Sequence, residues 1–305
     1  MAKEKERVSF YEQIRKNKIK STLLIMVILV VMIALGYVIS KAFNPSLFFT
    51  IMIITIIISI TYTFIGYYNS DKIAIASVGA RLANHSSPLE REYHSIIEGL
   101  TIASGMPKPK LYVMRGEQIN AFATGRNPQN ASVCVTEGAL RKLTKQELEG
   151  VLAHELSHVA NYDIRFMTIA TVMIGMIAIM SEIFLRSLWF GGGRDDDSKG
   201  NAILMIIGIA LAILAPIAVR LVGMAISRKR EYAADANGVK FVRSPTGLRN
   251  ALIKIKEEQN VQDRTIKVNK AIAPLFLSNP IKNKVGNLLS SHPPIEKRIS
   301  ILEKM

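Results

Sequence analysis

The chain has 305 residues, of which 49% are hydrophobic and 21% charged, and its mean hydropathy is +0.23. It is too apolar for an ordinary soluble protein and too charged for one that lies wholly within a membrane. The net charge of +15 is not accompanied by an aromatic-interleaved basic module, so we expect contact with anionic lipid headgroups and no nucleic-acid partner. The single cysteine, Cys134, excludes an internal disulfide and a Cys-rich zinc site.

Two uncharged stretches near the N-terminus predict membrane-spanning helices. Neither 21–40 nor 42–70 contains a charged side chain, and each is long enough to cross a hydrocarbon core of about 30 Å. A basic flank precedes the first stretch, formed by Arg15, Lys16, Lys18 and Lys20. Because basic flanks stay on the cytoplasmic side, we expect the N-terminus to lie in the cytoplasm.

The next segment predicts a helix followed by a small sheet. Ser87, Pro88 and Glu90 are typical of a helix start, and the apolar pattern that follows ends near Gly105. Three strands are then predicted, at Lys110–Met114, 119–124 and Ala131–Thr136, and the last two form a hairpin.

The second of these strands is a candidate substrate-binding element. An exposed strand can hold an extended peptide by main-chain pairing without a strict side-chain sequence. We expect this role for Asn120, Ala121, Phe122 and Ala123. The alternative is a hairpin that is merely structural.

The motif His-Glu-x-x-His occupies His154, Glu155 and His158, within a helix that Thr144 and Glu147 open as a capping box. Residues four apart lie on one helix face, so the two imidazoles can bind one zinc ion. Glu155 can then deprotonate a water at the open position of the metal. The pattern predicts a hydrolase, and the alternative is a pair of surface histidines.

Two further apolar stretches, 166–190 and 202–226, follow this motif. They contain a few charged residues, and we expect them to span the membrane, with a buried helical hairpin as the alternative. With four spans, and with the basic run Arg228, Lys229 and Arg230 after the last, the metal motif and both termini face the cytoplasm.

A catalytic zinc ion usually has three protein ligands and a water, so one ligand must come from outside the motif. Glu231 is the best candidate. Asp235 lies four residues later on the same helix face, where it can accept a hydrogen bond from a ligand histidine and fix its tautomer. The alternative is a solvated acidic pair on a basic helix.

Three motifs in this order carry a family resemblance: NAFATG at 120–125, HELSH at 154–158 and SRKREYAAD at 227–235. The chain also has the four apolar stretches and SSHPPIEKRI at 290–299. By these features together it resembles the HtpX family of membrane-integrated zinc metalloproteases, which are related to the CAAX prenyl endopeptidases.

The resemblance implies a gluzincin-type site in which His154, His158 and Glu231 bind one zinc ion and Glu155 is the general base. It also implies that His292 and Arg298 approach the site to stabilise the tetrahedral oxyanion. The alternative is a rigid turn at His292 that starts the last helix, with Arg298 solvated or paired to an acidic neighbour.

The expected architecture is a mainly α integral membrane protein with four transmembrane helices and a cytoplasmic α+β zincin-type protease domain that contains a small β-sheet. The basic N-terminus is 1–20, and the first two spans are 21–70. The first part of the protease domain is 71–165, a transmembrane hairpin is 166–226, and the second part of the protease domain is 227–305.

The implied function is cleavage of membrane or misfolded proteins by a zinc endopeptidase at the cytoplasmic face of the plasma membrane, in protein quality control. The alternative is a non-enzymatic, zinc-binding transporter or scaffold. The sequence leaves the oligomeric state open.

Overall fold

The computed structural model describes residues 10–43, 48–170, 228–258, 275–278 and 293–305. The described helices are α1 Phe10–Phe43, α2 Phe48–Tyr68, α3 Ser70–Ser77, α4 Pro88–Ser104, α5 Glu137–Lys142, α6 Lys145–Ala160, α7 163–170, α8 Arg228–Val242, α9 Thr246–Glu258 and α10 Ile295–Leu302. The strands are β1 Arg81–Leu82, β2 Lys110–Met114, β3 Ala121–Gly125 and β4 Ala131–Thr136.

The two N-terminal helices pack against each other, and both cover predicted spans. α1 is continuous from Phe10, so the stretch 21–40 is the later part of a longer helix that also carries the basic flank. α2 is mostly exposed, and among the described residues it is the one helix that is long and apolar enough to cross a membrane. The structure describes only 166–170 of the last two predicted spans, and the remainder lies outside the described residues.

The sheet has four strands in the order β1-β2-β4-β3. β3 and β4 are antiparallel, with Ala121 opposite Val135, which confirms the predicted hairpin. β2 runs parallel to β4, with Lys110 opposite Ser132. The two-residue strand β1, which is too short to give a sequence pattern, pairs antiparallel with β2.

Helix α6 lies at the centre of the fold, between the sheet, α4, α8 and α9. It is buried from Gly150 to Val159. The predicted capping box at its start is confirmed, since the Glu147 N–H donates to Thr144 Oγ1 at 3.4 Å and the Thr144 N–H donates to Glu147 Oε2 at 2.8 Å. Lys254 of α9 binds the same carboxylate at 2.7 Å, which ties α9 to the start of α6.

Two glycines let neighbouring helices approach α6 backbone to backbone. A Cβ atom on Gly150 would lie 2.3 Å from the backbone nitrogen of Leu248 in α9. A Cβ atom on Gly238 of α8 would lie 3.0 Å from the backbone nitrogen of His154. The second approach brings the first turns of α8, which carry Glu231 and Asp235, against the motif helix.

We predict that Gly150→Ala destabilises the protein and that Gly99→Ala does not. At Gly150 the added methyl group meets rigid backbone, and such overpacking costs about 1–3 kcal/mol, more than the roughly 1 kcal/mol that alanine gains in helix propensity. Gly99 is exposed on α4 with nothing within 4 Å of the added atom, so it gains the propensity alone. The free energy of unfolding of the full chain in detergent is measured for both variants. An equal change in the two variants would contradict the close approach of α9 to Gly150.

Candidate metal centre

Two imidazoles and one carboxylate converge in the interior of the protein. His154 and His158 lie one turn apart on α6, with ring centroids 4.8 Å apart and ring planes at 90°. Glu231 Oε2 lies 3.7 Å from Nε2 of His154, and Glu231 Oε1 lies 3.5 Å from Nε2 of His158. All three residues are at least 95% buried.

This donor set fits a metal ion. Nitrogen and oxygen ligands at about 2.0–2.2 Å from a tetrahedral zinc ion lie roughly 3.4 Å apart, close to the separations of Glu231 from the two imidazoles. The candidate ligand atoms all lie within 4.8 Å of one another. Within the part of the chain that the structure describes, no other group of three such side chains meets this distance.

The outer nitrogen of each imidazole faces a carboxylate. Nδ1 of His154 lies 2.8 Å from Asp235, and Nδ1 of His158 lies 3.1 Å from Asp163. A hydrogen on each Nδ1 leaves the Nε2 lone pair directed at the metal position, which is how carboxylates orient ligand histidines. Asp235 thus lies against the outer nitrogen of His154.

Asp163 was missed by the sequence analysis. It follows the end of α6, after a tight turn in which Tyr162 adopts a positive φ of 59°. That turn folds the chain back so that a carboxylate five residues after His158 reaches its ring. The only signal in the sequence was an acidic residue close behind the motif.

Arg298 of α10 approaches the site from the side of Asp235. Its Nε and Nη2 donate to the two oxygens of Asp235 at 2.9 and 2.6 Å, and Nη2 lies 3.3 Å from Nδ1 of His154. Nη1 lies 3.8 Å from Glu231 Oε2. Because two of its nitrogens are engaged by Asp235 and it is 2% exposed, this placement fits a group that holds Asp235 better than one that donates to a substrate oxyanion. His292, expected to share that role, lies outside the described residues.

The charges around the site set the protonation of its groups. Burial raises the pKa of Glu155, and the neighbouring imidazoles and the Ala123 N–H offset this only in part. Burial lowers the pKa of His158, but the hydrogen bond to Asp163 and the charge of Glu231 raise it to about 9. Burial opposes ionisation of Asp235, but Arg298 and His154 lower its pKa to about 2, so this carboxylate stays charged.

The candidate substrate strand lies beside α6, but it is not exposed. Asn120, Ala121, Phe122 and Ala123 are all at least 95% buried, so the expectation of an exposed strand is wrong.

These strand residues are buried because the chain's own segment 275–278 covers the edge of β3. The Leu277 N–H donates to the Ala121 carbonyl at 2.8 Å, and the Asn120 side chain binds both the carbonyl and the N–H of Ser278, at 2.9 and 3.2 Å. A peptide can pair with Ala121 only in place of Leu277.

Residues 87–305, which contain every residue of this cluster, match the sequence profile of peptidase family M48. The chain belongs to that family. The Protease HtpX homolog of Thermoanaerobacter pseudethanolicus is 43% identical over 98% of this chain and 99% of its own length. The homologs of Dictyoglomus thermophilum and Pyrococcus furiosus are 41% and 43% identical, over 97% and 83% of this chain and 95% and 86% of their own lengths.

Among solved structures, the crystal structure of S. mikatae Ste24p aligns with 95% of this chain and 66% of that chain, at a TM-score of 0.48 and 19% identity. The family assignment rests on the sequence matches alone. They confirm the predicted resemblance to the HtpX family, and the chain is a metallopeptidase.

We predict that the affinity for Zn²⁺ falls as the pH drops below about 9. The pKa of His158 is raised to about 9, so near neutral pH this ring carries a proton that must leave before Nε2 can bind a metal. One competing proton weakens binding about tenfold per pH unit. Competition with a chelator, corrected for the chelator's own protonation, measures this slope between pH 7 and 9.

Asp163→Asn provides the matched comparison, because loss of this carboxylate lowers the pKa of His158 and moves the onset of the slope to lower pH. An affinity that is constant from pH 7 to 9 in the unmodified protein would contradict the raised pKa of His158.

Proposed function

We propose that the chain is a zinc endopeptidase of the cell membrane that cleaves membrane or misfolded proteins at the cytoplasmic face, in protein quality control. The observation that carries this proposal is the convergence of His154, His158 and Glu231, with Glu155 buried beside them. Family membership supports the proposed reaction, and the geometry of the cluster supports the roles proposed for its residues.

Zinc is the metal that this donor set suits best. Two imidazoles and one carboxylate are a common set at catalytic zinc, and they leave one position open for water or substrate. A zinc ion held there would polarise the scissile carbonyl and lower the pKa of water at the site. We propose one ion per chain.

Glu155 is the proposed general base. It takes a proton from the attacking water and passes it to the amine that leaves. Its raised pKa suits a group that both accepts and returns a proton near neutral pH. The N–H of Ala123 donates to its carboxylate and helps to hold it in place.

The proposed role of Arg298 is to keep Asp235 charged and in position. Two charge-assisted hydrogen bonds to both oxygens of Asp235 fix the carboxylate that orients His154. The contribution of Arg298 to catalysis is therefore exerted through the ligand, not through the substrate.

Contacts of α1 support a cytoplasmic active site. Lys18, in the basic flank, lies 4.4 Å from the ring centroid of Tyr162, next to the end of the motif helix. Asn17 beside it donates to Asp163 at 2.8 Å. Since a basic flank stays on the cytoplasmic side of a span, a metal centre that touches this flank belongs on the same side.

The apolar surface of α2 supports a membrane location. Phe49, Ile53, Ile57 and Phe64 are between 58% and 78% exposed, and a helix with such a surface requires an apolar surrounding. Substrates presented at the membrane surface would reach a centre attached to these helices.

We predict that Glu155→Gln retains zinc and loses peptidase activity. The amide cannot accept the proton of the attacking water, and loss of a general base costs about 10²–10⁴-fold in rate. Zinc content per purified chain and cleavage of an unfolded protein such as casein are the two measurements. Glu149→Gln, on the same helix but outside the cluster, is the matched control and keeps both properties.

His154→Ala, by contrast, loses the metal because it removes a ligand. A Glu155→Gln protein that cleaves at the rate of the unmodified protein would refute the assignment of the base. Zinc binding without cleavage in the unmodified protein would favour the transporter or scaffold alternative.

A further inference from the structure

One side chain of α1 reaches the metal centre. Asn17 is 6% exposed, although the basic residues around it, such as Lys16 and Lys18, are exposed. Its Nδ2 donates to Oδ1 of Asp163 at 2.8 Å and to the carbonyl oxygen of Asn161 at 3.0 Å. The N-terminal helix therefore touches the segment that follows the motif helix through a buried polar contact.

Both oxygens of Asp163 are engaged by this arrangement. Oδ1 accepts from Asn17, and Oδ2 faces Nδ1 of His158 at 3.1 Å. Arg230 lies at a longer distance, with its Nε 3.8 Å from Oδ1. Of Asn17 and Arg230, Asn17 is therefore the closer partner of Oδ1. Its hydrogen bond limits how far the Asp163 carboxylate can turn.

Asn17 also spans the strained turn that delivers Asp163. Its two acceptors, Asn161 and Asp163, flank Tyr162, whose positive φ of 59° is unfavourable for a residue with a side chain. Such a conformation persists where surrounding contacts hold it. The two bonds from Asn17 are contacts of that kind.

We propose that Asn17 is a positioning residue of the metal centre: it holds Asp163, which orients His158, so that the seating of α1 sets the affinity for the metal. The proposal rests on the proposed function only in taking His158 as a metal ligand. It makes the N-terminal helix α1 a part of the active site.

Attachment of α1 does not require this polar chemistry. Leu24 packs against Phe166, Ile169 and Ala170 of α7, and Lys18 contacts Tyr162. An apolar side chain at position 17 would satisfy attachment without the cost of burying an amide. A purely structural role therefore predicts that leucine, with a shape close to that of asparagine, can replace it.

The test compares Asn17→Ala and Asn17→Leu with Ser21→Ala in the full chain in detergent. Ser21 is a matched control because it is buried one turn further along α1, and its hydrogen bond among the described residues is to the Asn17 carbonyl of its own helix, at 2.8 Å. The measurements are the dissociation constant for Zn²⁺ by chelator competition and the thermal unfolding of the metal-free protein.

We expect both Asn17 variants to bind Zn²⁺ roughly tenfold more weakly, at the lower end of the range for partners of ligand histidines. Ser21→Ala should stay within about twofold of the unmodified protein, since it removes no contact to Asp163. If Asn17→Ala does not fold, Asn17→Leu decides. An Asn17→Leu protein with unchanged affinity would overturn the proposal.

A double-mutant cycle tests the route through Asp163. Measured above pH 9, where proton competition at His158 no longer differs between the variants, Asp163→Asn alone should weaken binding about 10- to 100-fold. Asn17→Ala added to it should weaken binding by no more than about twofold further. Full additivity would show that Asn17 acts by another route and would overturn the proposal. Peptidase activity of the unmodified protein, assayed in parallel, decides the proposed function, whereas these affinities decide the role of Asn17.

Discussion

The position of the Glu231 carboxylate between the two imidazoles is the constraint on which the rest of the structure depends. Four carboxylates are buried in this region, on Glu155, Asp163, Glu231 and Asp235, and burial of such charges is costly unless they are paired. Arg298 and the mostly buried Arg230 offset only part of the negative charge. A divalent cation at the centre would supply the remainder, and it would be the largest positive charge in the site.

The helices are packed so that this cluster can form. Gly238 lets α8 lie directly on the backbone of α6 at His154, and Gly150, one turn earlier in α6, does the same for α9. The capping box and Lys254 then fix where α6 begins. With α6 held in this way, the outer carboxylates need only orient the rings, and each of them is held in turn by a partner from a distant helix, Arg298 or Asn17.

The parts of this account that sequence predicted depend on local patterns. The motif helix, its capping box, the β3–β4 hairpin and the shared face of Glu231 and Asp235 each follow from spacing within a short segment. The parts that it missed depend on contacts between distant segments. Asp163 reaches His158 through a left-handed conformation at Tyr162, which tyrosine rarely adopts. The strand at 120–123 is covered by 275–278, and no local pattern states which segment will pair with a strand edge.

The most direct test of the central claim is X-ray absorption at the zinc edge, on the purified full chain and on Glu231→Ala. If Glu231 is a ligand, two imidazole nitrogens and a carboxylate oxygen lie about 2.0–2.2 Å from the zinc in the unmodified protein, and Glu231→Ala, like His154→Ala, loses the metal. A spectrum that Glu231→Ala leaves unchanged, or one dominated by sulfur, would contradict this ligand set.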